Sequence, residues 1–148
     1  MSNRTYKPRR GRVTPRQAAA LDIRDGLLIE LGRTTLSLTD EWPGLPVILE
    51  IGFGTGAATA VMAGDQPQFG LLAVDVHTPG IGDLLHRVRT IGLTNVRVME
   101  ADALEVLRTM IPERSLAGIR TYFPDPWPKA RHHKRRLVTA EHASLIGS

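Results

Sequence analysis

Val47-Ile-Leu-Glu50-Ile51-Gly52-Phe-Gly54-Thr-Gly56 is the stretch that decides the fold. Val47 to Ile51 is short and apolar apart from Glu50, as a strand in the buried centre of a parallel sheet should be. Three glycines follow at alternate positions, where a strand turns into a helix and the backbone must pass close to a ligand. A short helix from Ala57 to Ala63 comes next. Downstream the same alternation repeats. Phe69 to Val74 reads as a second strand, ending in Asp75. Pro79 opens a helix to Ile91, with Leu84, Leu85, Val88 and Ile91 at helical spacing and Gly92 as its stop. Val96 and Val98 mark a third strand. Asp102 and Glu105 stand as a capping pair before Leu104, Leu107 and Ile111. Ile119 to Phe123 is a fourth strand, and Leu137 to Ile146 a last helix. Upstream, Thr14-Pro15 gives a cap and a first-turn proline. They predict a helix to about Leu31 carrying Ala18, Leu21 and Leu28, weakened by Gly26. Residues 32–46 read as a loop. Four strand–helix alternations argue for an α/β, doubly wound sheet with right-handed crossovers.

The chain has 148 residues, enough for one domain with a real core. It has no cysteine, so disulfides and thiolate metal sites are excluded. There is no apolar run of membrane-spanning length and no apolar secretory signal, so the expected compartment is the cytoplasm. The net charge of +4 is unevenly spread. Residues 1–16 hold six basic residues and residues 129–136 hold five, against 19 in all. Between them, residues 17–128 carry 8 basic and 14 acidic residues, a net of −6. Positive charge concentrated in two segments favours a polyanionic partner such as nucleic acid.

The glycine turn with Asp75, 19 positions past Gly56, has the layout of a nucleotide site. Two cofactors fit it. Gly52, Gly54 and Ala57 satisfy the dinucleotide pattern, which keeps NAD open. Glu50 points elsewhere, because an acid there repels a pyrophosphate and suits a cationic ligand such as S-adenosylmethionine. An acid, three glycines and a second acid after the next strand resemble the class I methyltransferases. Asp102 then falls where that family contacts adenine; a plain helix cap accounts for it equally well.

The fourth strand runs into Tyr122-Phe-Pro124-Asp125-Pro126-Trp127-Pro128-Lys129. The three prolines end any strand or helix and hold Asp125 and Trp127 in a stiff turn. Strand carboxyl ends are where this fold binds ligands. A proline-flanked acid at that place is similar to the motif of methyltransferases that modify nucleobase nitrogens, and the indole of Trp127 is suited to stacking on a base. Arg131-His132-His133-Lys134-Arg135-Arg136 follow at once. The adjacent histidines lack carboxylate or thiolate neighbours, so no metal is expected, and protonated they would add to phosphate binding. Trp42 and Phe53 read as packing residues, and His77 as a loop residue near the crevice.

F-P-D-P-W-P-K followed by R-H-H-K-R-R, with E-I-G-F-G-T-G upstream and D-V-H-T-P-G between, resembles the bacterial tRNA (guanine-N7-)-methyltransferases of the TrmB type. The resemblance runs from about Tyr6 to Leu145. It implies a Rossmann-like class I methyltransferase fold, a parallel sheet of about four strands in the order 3-2-1-4 with flanking helices. It implies methyl transfer from S-adenosylmethionine to N7 of a guanosine in the tRNA variable loop. Carried over residue by residue, it gives Glu50, Asp75 and Asp102 as cofactor contacts, with Gly52, Gly54 and Gly56 as the turn around them. Asp125 matches the acid assigned to both cofactor and catalysis, Lys129 a substrate contact, and Arg131 to Arg136 an RNA-contacting segment. The family's chain is longer, and three further strands are expected beyond Ser148. On this reading residues 1–40 form a basic arm and helix, and residues 41–148 a partial Rossmann-like domain. Its last strand would be an exposed edge open to self-association. Two other functions compete: a non-catalytic RNA-binding module, and an NAD-dependent oxidoreductase, which Glu50 disfavours.

Overall fold

A computed structural model describes residues 13–32 and 35–121. In chain order the elements are α1 (Pro15–Asp22), α2 (Leu38–Glu41), β1 (Val47–Ile51), α3 (Ala57–Asp65), β2 (Gly70–Asp75), α4 (Thr78–Ile91), β3 (Val96–Glu100), α5 (Ala103–Thr109) and β4 (Gly118–Thr121). The strands form one parallel sheet in the order β3-β2-β1-β4. This is the expected order. β1 lies between β2 and β4, so Glu50 is paired with Ala73 on one side and Arg120 on the other.

The sheet is covered on both faces, which is why its strands are nearly all apolar. On one face Leu71, Ala73, Val96 and Val98 pack under α1, α3 and α4. On the other, Val47, Leu49, Leu72, Val74 and Met99 pack against Trp42 and α5. Leu49, Leu72, Leu84 and Leu85 are wholly excluded from solvent, each contributing roughly 1.5–3 kcal/mol of burial. The Trp42 indole N–H donates to the Asn95 carbonyl at 2.9 Å, and the Asn95 side-chain amide donates to the carbonyls of Ala63 and Phe69. That buried amide ties the end of α3 to the starts of β2 and β3. Trp42 and Phe53 are both core residues, as expected from the sequence.

The sequence expectation fails at the first helix. It stops at Asp22, nine residues short of Leu31. Gly26 adopts φ +84°, and the Asp25 carboxylate accepts from the Leu27 N–H, so the chain turns instead of continuing. Leu28 then bridges to Val98 in parallel, with the Ile29 N–H donating to the Val98 carbonyl at 2.8 Å. Leu21 and Leu28 have the spacing of one helix face, yet Leu28 pairs with the edge of β3. Within the expected loop 32–46 lies α2, a single turn that Ser37 caps. Ile91 and Leu104 face solvent and not the core. The expected continuation of β4 through Phe123 and the helix from Leu137 to Ile146 lie outside the described residues.

Candidate functional site

The carboxyl ends of the four strands meet at one rim of the sheet, and four acids stand there: Glu50, Asp75, Glu100 and Asp102. Glu50 is the fourth of five residues in β1 and is 4% exposed. The chain then turns through Gly52, Gly54 and Gly56, at φ +74°, +67° and +81°. Side chains are strained in that left-handed region, which accounts for the glycines. The Gly52 N–H donates to the Val74 carbonyl, continuing the ladder by one residue, and the Gly56 N–H donates back to the Phe53 carbonyl. Gly54 and Thr55 are left exposed at the tip.

Asp75 ends β2 beside this turn. Its Oδ2 accepts from the Gly54 N–H at 3.2 Å, and its Oδ1 accepts from the N–H of Val76 at 2.7 Å. The His77 N–H approaches the same Oδ1 at 3.4 Å. One carboxylate therefore fixes two loops. α4 closes the turn from behind: a Cβ at Gly80 would lie 2.1 Å from the Gly54 carbonyl oxygen. His77 caps α4 from the same loop, without a side-chain cap bond. On β3, Glu100 stands in register with Asp75 and accepts a short hydrogen bond from the Thr78 hydroxyl. Asp102 caps α5, its Oδ1 accepting from the N–H groups of Leu104 at 2.8 Å and Glu105 at 3.3 Å. The helix-cap account of Asp102 thus holds.

Glu50 is in a different condition. Arg120 Nη2 lies 3.6 Å from its Oε1, an ion pair too long for a hydrogen bond. Among the described residues three buried side-chain atoms have no hydrogen-bond partner: Glu50 Oε1, Arg120 Nε and Thr121 Oγ1. All three lie at the ends of β1 and β4. Buried polar atoms are nearly always paired; of these exceptions Glu50 and Arg120 share one face of the sheet, and Thr121 leaves the other.

The structure therefore brings Glu50, Gly52, Gly54, Gly56, Asp75 and Asp102 to one rim. Asp125, Trp127, Lys129, Arg131, His132, His133, Lys134, Arg135 and Arg136 lie outside the described residues. Arg120 is the residue that sequence reasoning missed. Its signal was a lone arginine in the apolar run 119–123, visible as a partner of Glu50 only once the register of β4 on β1 is known. No group of three or more potential metal ligands occurs among the described residues. Nor is any described helix long and apolar enough to cross a membrane.

A family profile described as "Putative methyltransferase" matches residues 45–147. The chain is 52% identical over 147 residues to a tRNA (guanine-N(7)-)-methyltransferase of Streptomyces avermitilis, covering 98% of this chain and 51% of that one. It is 44% identical over 147 residues to the protein of that name from Yersinia enterocolitica, covering 98% and 62%. The chain thus spans little more than half the length of these relatives. Among solved structures, an antibiotic-related methyltransferase aligns with a TM-score of 0.52 at 17% identity, over 79% of this chain and 63% of that one. At that identity the likeness concerns the fold alone.

Proposed function

The chain belongs to the tRNA (guanine-N7-)-methyltransferase family, and from that premise we propose that it takes part in methylating N7 of a guanosine in tRNA with S-adenosylmethionine as donor. The observation that carries this reading is the buried Glu50 carboxylate, with Oε1 unbonded, at the mouth of the glycine turn. An acceptor-only group in that place fits an ammonium and repels a pyrophosphate, so it favours S-adenosylmethionine over NAD. When bound, S-adenosylmethionine supplies a methyl group on a cationic sulfur, which the N7 lone pair displaces while the carbon–sulfur bonding pair stays on sulfur.

On this reading Glu50 accepts from the donor's amino group. Asp75 takes the ribose hydroxyls on lone pairs that the Gly54, Val76 and His77 amides leave free. Asp102 faces the adenine while capping α5. Gly52, Gly54 and Gly56 let the backbone pass close to the ligand. N7 carries an in-plane lone pair and no proton, so no general base is needed, and the chain's task is alignment. Asp125 stabilises the positive charge that passes to the purine, or holds the guanine edge. Trp127 stacks on a base, and Lys129, Arg131, His132, His133, Lys134, Arg135 and Arg136 meet RNA phosphates. The cytoplasm is the compartment that goes with such a substrate, and β4, an edge strand among the described residues, offers a surface for self-association.

Incubating the protein with tRNA and methyl-labelled S-adenosylmethionine, then digesting to nucleosides, tests it. Labelled 7-methylguanosine is expected. RNA binding with no labelled nucleoside would point to the non-catalytic RNA-binding module instead.

A further inference from the structure

We propose that Arg120 is a positioning residue for the donor: it holds Glu50 ready for the ligand's amino group before any ligand arrives. The proposal rests on the reading that Glu50 meets that group. Arg120 is the register partner of Glu50 across β1 and β4, so both side chains leave the same face of the sheet. Among the described residues it is the one cationic group within 4.0 Å of Glu50, with Nη2 3.6 Å from Oε1. Among the described residues, the neighbours of Glu50 on β2 and α3 are uncharged. Its partner on β2 is Ala73, and the buried residues of α3 are Thr59, Ala60 and Ala63. Asp75, beyond Val74 on β2, is engaged by the amides of Gly54, Val76 and His77.

A carboxyl group that is 4% exposed and has no counter-charge takes up a proton rather than remain a buried anion. It would then have to lose that proton before gripping an ammonium. Arg120 removes this step, and a guanidinium does so at every physiological pH. The length of the pair matters as much as its charge. Coulomb attraction still acts at 3.6 Å, yet no N–H of Arg120 occupies a lone pair of Oε1. A bidentate pair would have filled the acceptor that the ligand needs. Arg120 therefore supplies charge without taking the bonding site.

The test is calorimetric titration with S-adenosylmethionine near pH ~6.5, below the ordinary α-amino range, in two buffers of different protonation enthalpy. Wild type should bind with almost no proton exchange. Arg120→Met should release close to one proton per ligand, and its affinity should rise with pH. Arg120→Lys should restore wild-type behaviour. Binding by Arg120→Met without proton release would overturn the proposal. A second readout needs no ligand. Infrared spectra of Arg120→Met should show a protonated carboxyl band that vanishes in the double variant with Glu50→Gln. Its absence would also overturn the proposal. That band together with no binding by wild type would support the hold of Arg120 on Glu50 and place the failure in the donor reading. Should Arg120→Met fail to fold, Arg120→Gln carries both readouts.

Discussion

The two halves of the sheet rim differ in how far they are satisfied. At the ends of β2 and β3, Asp75 and Asp102 are each bonded to backbone amides, and Glu100 is bonded to Thr78. At the ends of β1 and β4, Glu50, Arg120 and Thr121 each keep a buried polar atom without a partner. The first half builds its loops with its acids. The second leaves its polar atoms waiting. Both halves carry carboxylates at strand ends, so position alone does not separate an acid bonded within the fold from one left unbonded; the hydrogen-bond account does.

The largest expected effect separates the halves by stability. Arg120→Met forces the buried Glu50 carboxyl to take up a proton and should cost about 3 kcal/mol in chemical denaturation at neutral pH. Adding Glu50→Gln should recover much of that loss. A double variant no more stable than the single one would mean that the pair is not the coupled unit described. Next comes Gly80→Ala, whose Cβ would meet the Gly54 carbonyl oxygen at 2.1 Å. It should destabilise by roughly 1–3 kcal/mol by overpacking and weaken ligand binding through the displaced turn. Wild-type affinity in this variant would show that the position of the turn is unimportant. Asp102→Ala removes the cap of α5 and should cost about 1 kcal/mol.

The smallest effect lies away from the rim and serves as its control. The Arg89 guanidinium, hydrogen-bonded to the Asp25 carboxylate, lowers that group's pKa, helped by the Leu27 N–H and opposed by burial. A lowered folded-state pKa contributes stability above the group's unfolded value, and that stability is lost as pH falls through the folded one. The Asp25 side chain is 42% exposed, so Asp25→Asn should cost only ~0.5 kcal/mol at neutral pH. The difference from wild type should shrink in acid, with ligand affinity unchanged. A large affinity loss would mean that the turn at Gly26 is coupled to the rim.

Much of this was legible in the sequence, for reasons tied to particular residues. β1 and its glycine turn could be read because an apolar run followed by alternate glycines has few other uses. Gly92 closes α4 at φ +85°, where a stop was expected. The first helix is shorter than its spacing suggests because Leu21 and Leu28 satisfy helical spacing while serving different elements, and Gly26 turns the chain between them. Glu50 reads from the sequence as a group facing a cation. The sequence could not reveal that Arg120 already stands opposite, since that pairing depends on the register of strands whose partners lie seventy positions apart.

The central claim is that Glu50 awaits the cationic end of S-adenosylmethionine. Titrating wild type and Glu50→Gln with that ligand, and wild type with NAD, tests it most directly. The account predicts binding by wild type, a loss of roughly ten- to a hundredfold in Glu50→Gln from one charge-assisted hydrogen bond, and no measurable uptake of NAD. Equal affinity of the two proteins for S-adenosylmethionine would contradict it.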